Sequence, residues 1–191
     1  MTVPIVLLLG AAALLLLLSG RVRGLVEDAT DAGAAALGTD MLSQHFSLAE
    51  LCVSSTAARL QISNLPTSAA HRANLAWLAT DVLEPLRALC GNVPITVTSG
   101  YRSVTVNTAI GGSSTSDHMQ GLAADLYVSG LSNEDVAALL AGPGGASIPW
   151  DQVIVERHTG HLHIGAGPRQ RHELLQTSDG ATYTDWGGIY A

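Results

Sequence analysis

His118, Gly121 and Asp125 lie in the stretch SDHMQGLAADLYV, residues 116–128. An imidazole and a carboxylate seven residues apart can meet only if the chain between them turns sharply. Gly121 permits that turn because glycine tolerates positive φ. A neutral imidazole and a carboxylate are both good zinc ligands at about 2 Å. Two ligands make a poor site, so a third is needed, and HTGHLH, residues 158–163, offers it. Residues two apart in a strand share a face. His161 and His163 therefore point the same way, so one can bind the metal while the other stands beside it. Three protein ligands and an open position describe a catalytic rather than a structural zinc site, and such an ion lowers the pKa of a bound water to about 7.

Hydrolysis at such a site also needs a proton carrier and a stabiliser of negative charge. Glu156, on the strand preceding the His pair, is one candidate general base, and His161 is the competing one. Arg102, in SGYRS, carries a planar guanidinium that can pair with an oxyanion or with a free carboxylate of the substrate. Ser116 has none of the surroundings of a G-x-S-x-G nucleophile elbow. It is read as a loop residue bordering substrate and the ligand shell. His45, His71, His158 and His172 are read as ordinary surface or core histidines, and Trp77 as core.

The elements that must position these groups follow from local pattern. Ser47 with Glu50 forms a capping box ahead of a short helix. Leu75, Leu78, Val82, Leu86 and Leu89 recur at helical spacing on one face, with Pro85 expected to kink that helix and Gly91 to stop it. PITVTSG alternates as a strand, VNTAIGG gives a turn of helix and a loop, and LAADLYV is a second strand. Ser132 and Asp135 cap NEDVAALLA. WDQVIVE and HLHIGA read as two strands joined by RHTG, as in a hairpin. The polar, Gly-rich tail TSDGATYTDWGGIYA carries no pattern and is expected to be loosely ordered.

With 16 acidic against 9 basic residues and a net charge of −7, the chain lacks the basic face a nucleic-acid partner requires. Val3–Gly20 is an uncharged apolar run. At that length it is at the short end for a bilayer span, which takes about 20 residues. It is read as a membrane anchor, ahead of a cleaved signal peptide or a buried helix, because no basic residue precedes it and no clear cleavage site follows. Arg21 and Arg23, just after the run, weakly bias its C-terminal side toward the cytoplasm, and the orientation stays open. Cys52 and Cys90 form no C-x-x-C pair; a disulfide and two small buried side chains remain equal readings.

The run SGYRS…VN…GG…S-x-H-x-x-G-x-A-x-D with a downstream H-x-H closely resembles the zinc D-Ala-D-Ala carboxypeptidase family, which includes phage L-alanyl-D-glutamate endopeptidases and has the hedgehog/DD-peptidase fold. The resemblance spans about Phe46 to Gly165. It implies one zinc ion held by His118, Asp125 and His163, contact of Arg102 with substrate, and peptidoglycan stem peptides as that substrate. Many members carry Glu or Asp three residues before the last ligand, where this sequence has Gly160, so Glu156 and His161 stay joint candidates for the base. The expected fold is α+β, a small antiparallel sheet with helices on one side, preceded by an N-terminal hydrophobic helix. The expected organisation is an anchor at 1–20, a linker at 21–43, a peptidase domain at 44–175 and a tail at 176–191, with the domain acting at the cell wall or periplasm in a phage or bacterial setting. The alternative from another class is a non-catalytic zinc-containing binding module on the same fold.

Overall fold

Leu75, Leu78, Val82, Leu83 and Leu86 are buried to the last few Å² and make the helical half of the core. They belong to one long rod: α3 (Ala69–Trp77), a π-helical stretch (Leu78–Leu83) and α4 (Glu84–Leu89). The computed structural model describes residues 40–187. The sequence periodicity places Leu89 on the buried face, but Leu83 takes that role and Leu89 is half-buried. The π turns hold more residues each than α turns and so rotate the apolar stripe. Pro85 follows directly, at the start of α4, where its missing N–H is tolerated.

Two short helices precede the rod. α1 (Leu48–Leu51) opens on the Ser47/Glu50 capping box, and α2 (Ser55–Leu60) is capped by the Ser54 hydroxyl. α5 (Val104–Ala109) follows the first strand, and α6 (Asn133–Ala141) carries the Ser132/Asp135 capping box. The sheet has six strands: β1 (Ile95–Ser99), β2 (Ala123–Val128), β3 (Gln152–Glu156), β4 (Leu162–Gly165), β5 (Glu173–Thr177) and β6 (Thr184–Asp185), in the order β1-β2-β4-β3-β5-β6. Sequence reading expected an antiparallel sheet. Four of the five pairings are antiparallel, but β3 and β5 run parallel, so the sheet is mixed. β5 and β6 fall in or beside the segment expected to be a loose tail. β5, next to last in the sheet, is mostly half-buried, and the edge strand β6 is two exposed residues long, so neither carries a hydrophobic alternation to betray it.

The two faces of this sheet differ. Ala124, Leu126, Val153, Val155, Leu162 and Ile164 alternate onto one face and are at most 1% exposed, which makes them the sheet's share of the core. Their neighbours in sequence point to the other face, which carries the polar groups. Cys52 and Cys90 are free and buried; burial pushes the Cys52 thiol up to about 12, so it behaves as a small apolar side chain.

Asn64 fixes the loop after β1. Its amide Nδ2 donates to the Cys52 and Tyr101 carbonyls (3.0 and 2.8 Å), and its Oδ1 accepts from the Ser103 amide (2.8 Å). Removing this buried side chain leaves three main-chain groups unpartnered. Asn64→Ala is therefore expected to destabilise the fold by about 2–3 kcal/mol, read as a lowered midpoint in urea unfolding. Among the described residues no helix is long and apolar enough to cross a membrane. The expected N-terminal hydrophobic helix at residues 3–20 lies outside the described residues.

Candidate metal centre and active-site cleft

A 3₁₀ turn, Asp117–Gln120, delivers His118 and ends at Gly121 with φ +72°. A Cβ at Gly121 would also come within 2.8 Å of the His71 carbonyl, so both conformation and space call for glycine. β2 then carries Asp125 directly opposite His163 on β4. The sharp turn and the cross-strand pair bring all three side chains together. His118 Nε2 lies 3.2 Å from Asp125 Oδ1 and 3.2 Å from His163 Nδ1, and His163 Nδ1 lies 2.9 Å from Asp125 Oδ1. One donor atom from each residue falls within 4.8 Å of the others.

The protonation states suit a cation. His118 Nδ1 is 2.6 Å from the Gly100 carbonyl. A carbonyl only accepts, so Nδ1 carries the proton and Nε2 turns a lone pair toward Asp125 and His163. Burial drives the His118 pKa down, outweighing the nearby Asp125 charge, and keeps the ring in its neutral, ligating form. The Asp125 carboxyl, although buried, stands well below its usual range and is ionised. The His118 Nε2 lone pair and the Asp125 carboxylate oxygen, 3.2 Å apart, repel each other unless a cation sits between them. Two imidazoles and one carboxylate suit zinc, and the 14% exposure of the His163 side chain leaves one side open to the cleft.

Other groups fix this centre. Arg102 Nη2 donates to Asp125 Oδ2, and its Nε donates to Ser99 Oγ at 3.0 Å. The Asp125 carboxylate thus turns one oxygen to the ligand cluster and the other to Arg102, the outer support that orients a metal ligand. Gly100 holds His118 through its carbonyl, and a Cβ there would lie 2.3 Å from the Leu51 carbonyl oxygen. Gly100→Ala must move that main chain. It is expected to destabilise the fold by about 2–4 kcal/mol and to weaken zinc binding by about 10–100-fold, checked by denaturation and by competition with a chromogenic chelator.

Glu156 and His161 stand next to the centre. Glu156 Oε2 is 3.0 Å from His161 Nε2 and accepts from Thr159 Oγ1 at 3.1 Å; His161 Nε2 is 3.9 Å from Asp125 Oδ2. Burial raises the Glu156 pKa, but the His161 hydrogen bond and charge bring it below its ordinary value. Burial lowers the His161 pKa, and the Glu156 bond with the Asp125 and Glu156 charges raises it above. Each group thus favours the charged form of the other.

All seven residues singled out from the sequence, Arg102, Ser116, His118, Asp125, Glu156, His161 and His163, line one cleft of about 820 Å³. Ser116 opens the 3₁₀ turn, its carbonyl accepting from the Met119 amide at 3.0 Å. Several groups in and around the cleft had no role assigned from the sequence. Asn107 Nδ2 donates to the Gly112 and Ser113 carbonyls (3.2 and 2.9 Å) and clamps the loop before the turn. The fully buried Asp151 accepts from Arg171 through both oxygens (3.0 and 2.8 Å) and fixes the β4–β5 loop. His158, read as an ordinary histidine, lines the cleft with Nε2 3.9 Å from Glu156 Oε2. Its place in HTGHLH, five residues before His163, was the available signal.

The polar face of this mixed sheet thus gathers two imidazoles, a carboxylate and the Glu156–His161 pair in one cleft. The chain belongs to the Peptidase M15 family, whose sequence profile matches residues 44–165. It is also similar to a zinc D-Ala-D-Ala carboxypeptidase of Streptomyces albus G, with 35% identity over 112 residues. That match covers 53% of this chain and 38% of the length of the Streptomyces protein, so this chain spans well under half of it.

Proposed function

We propose that this protein is a zinc-dependent peptidase that cleaves D-amino-acid-containing stem peptides of bacterial peptidoglycan. The observation that carries the proposal is the convergence of His118 Nε2, Asp125 Oδ1 and His163 Nδ1 within 4.8 Å, in the cleft that also holds Glu156 and His161. The zinc activity named for the Streptomyces relative supports the choice of metal and of substrate class.

His118, Asp125 and His163 would hold the ion, which supplies a water of lowered pKa and polarises the scissile carbonyl. Glu156 takes a proton from the attacking water as its oxygen bonds to the carbonyl carbon. Glu156 then returns that proton to the nitrogen as the C–N bond breaks, leaving a carboxylate and an amine. His161, bonded to Glu156 at 3.0 Å, keeps the carboxylate ionised and aimed. Arg102 steadies Asp125, and its remaining N–H groups are placed to meet negative charge on the substrate. Ser116 borders the substrate on the loop side. The proposal includes a membrane tether through residues 3–20, which rests on their composition alone.

Digestion of purified cell wall by the zinc-loaded chain, with fragments identified by mass, tests the reading. Soluble peptides cut beside a D-amino acid, absent when a chelator is present, are expected. Zinc binding without release of any fragment would overturn it in favour of a non-catalytic module.

A further inference from the structure

The register of the sheet places Asp125, His163, Ile154 and Leu175 side by side across β2, β4, β3 and β5. The first two belong to the metal centre. The next two are aliphatic and also line the cleft, Ile154 buried and Leu175 half-buried. An apolar strip therefore lies next to the metal on the β3–β5 side. Polar side chains bracket it, Gln152 and Glu173 at one end and Glu156 at the other.

The turn between β5 and β6 stands beside the same strip. Asp179 Oδ1 accepts from the Ala181 and Thr182 amides (2.9 and 2.8 Å) and from Thr177 Oγ1 (3.2 Å), which makes the turn rigid. Gly180 backs onto His158, where a Cβ would lie 2.7 Å from Nε2. Tyr183 lines the cleft at 47% exposure, and its hydroxyl donates to the Gly180 carbonyl at 3.1 Å. Leu175 and Tyr183 both lie beyond residue 165, where the family profile ends.

We infer that Ile154, Leu175 and Tyr183 form a specificity subsite that takes the small alkyl side chain of the substrate residue flanking the scissile bond. The inference rests on the peptidase reading above. Two aliphatic side chains and an aromatic ring stabilise a methyl or methylene by about 0.8 kcal/mol per buried CH₂ and penalise a carboxylate left without a partner there. Because β5 and its turn form one side of the subsite, substitutions there change which side chain fits while leaving the metal ligands on β2 and β4 in place.

The test uses the full zinc-loaded chain and synthetic stem peptides in which each residue flanking the cleaved bond is varied through Gly, Ala, Val, Leu and Glu. Wild type is expected to prefer a small alkyl residue on one side over Glu by about 100-fold in kcat/KM. Leu175→Ala should shift the optimum on that side toward Val and Leu, and Leu175→Phe should shift it toward Gly. Tyr183→Ala should raise KM by about tenfold with kcat little changed. Zinc content and unfolding midpoint, measured on every variant, identify those that fold. The two Leu175 changes pull in opposite directions, so either one that folds decides the matter. Cleavage by wild type with the same side-chain ranking in the folded variants would overturn the subsite alone. Failure of wild type to cleave any peptide would overturn the peptidase reading and the subsite with it.

Discussion

His163→Ala is expected to abolish stoichiometric zinc binding and to lower peptide hydrolysis by about 10³–10⁴-fold, the loss of roughly 4–6 kcal/mol of charge stabilisation at the carbonyl. The reason is geometric. His163 is the strand residue directly opposite Asp125, and its Nδ1 is 2.9 Å from the Asp125 carboxylate that the second imidazole, His118, also faces. Without it two protein donors remain, too few for a catalytic zinc site. His161→Ala is the matched control. Its Nε2 points to Glu156 at 3.0 Å rather than into the ligand triangle, so this variant should keep one zinc per chain. Metal analysis of the two variants after dialysis settles which imidazole of the H-x-H pair is the ligand. Equal zinc loss in both would contradict the assignment.

Glu156→Gln is expected to lower kcat by about 10²–10⁴-fold while zinc content and KM stay near wild type. The amide preserves the shape of the side chain and its contact with Thr159. It cannot take a proton from water, so the loss appears in the chemical step. His161→Ala should cost less, about 10–100-fold, because its part is to orient and ionise Glu156. Single-turnover rates on a stem peptide separate the two. A Glu156→Gln variant with wild-type kcat would remove Glu156 from the chemistry.

The groups of the candidate centre were legible because their signals are local. Seven residues with a glycine between them brought His118 and Asp125 to one point, and period-two alternation put His161 and His163 on one face. The capping residues Ser47 and Ser132 announced their helices in the same way. The remainder depends on pairings between distant parts of the chain. The parallel pairing of β3 with β5 leaves no mark in either strand, and β5 lacks alternation because it is half-exposed on an outer strand. The π stretch at Leu78–Leu83 moved the buried face onto Leu83 without changing the leucine spacing. Arg102 was legible as a cleft residue, but its bond to Asp125 spans 23 positions and emerges only when β1 and β2 lie side by side. The Asp151–Arg171 pair and the Gly100 carbonyl behind His118 are long-range in the same sense.

X-ray absorption at the zinc edge of the loaded chain tests the metal centre most directly. The predicted first shell is two imidazole nitrogens, one carboxylate oxygen and one exchangeable oxygen, at about 2.0–2.2 Å. His163→Ala should remove one imidazole from that shell, or the ion altogether. A shell containing sulfur, a shell with no imidazole, or a chain that binds no zinc would contradict the centre built from His118, Asp125 and His163.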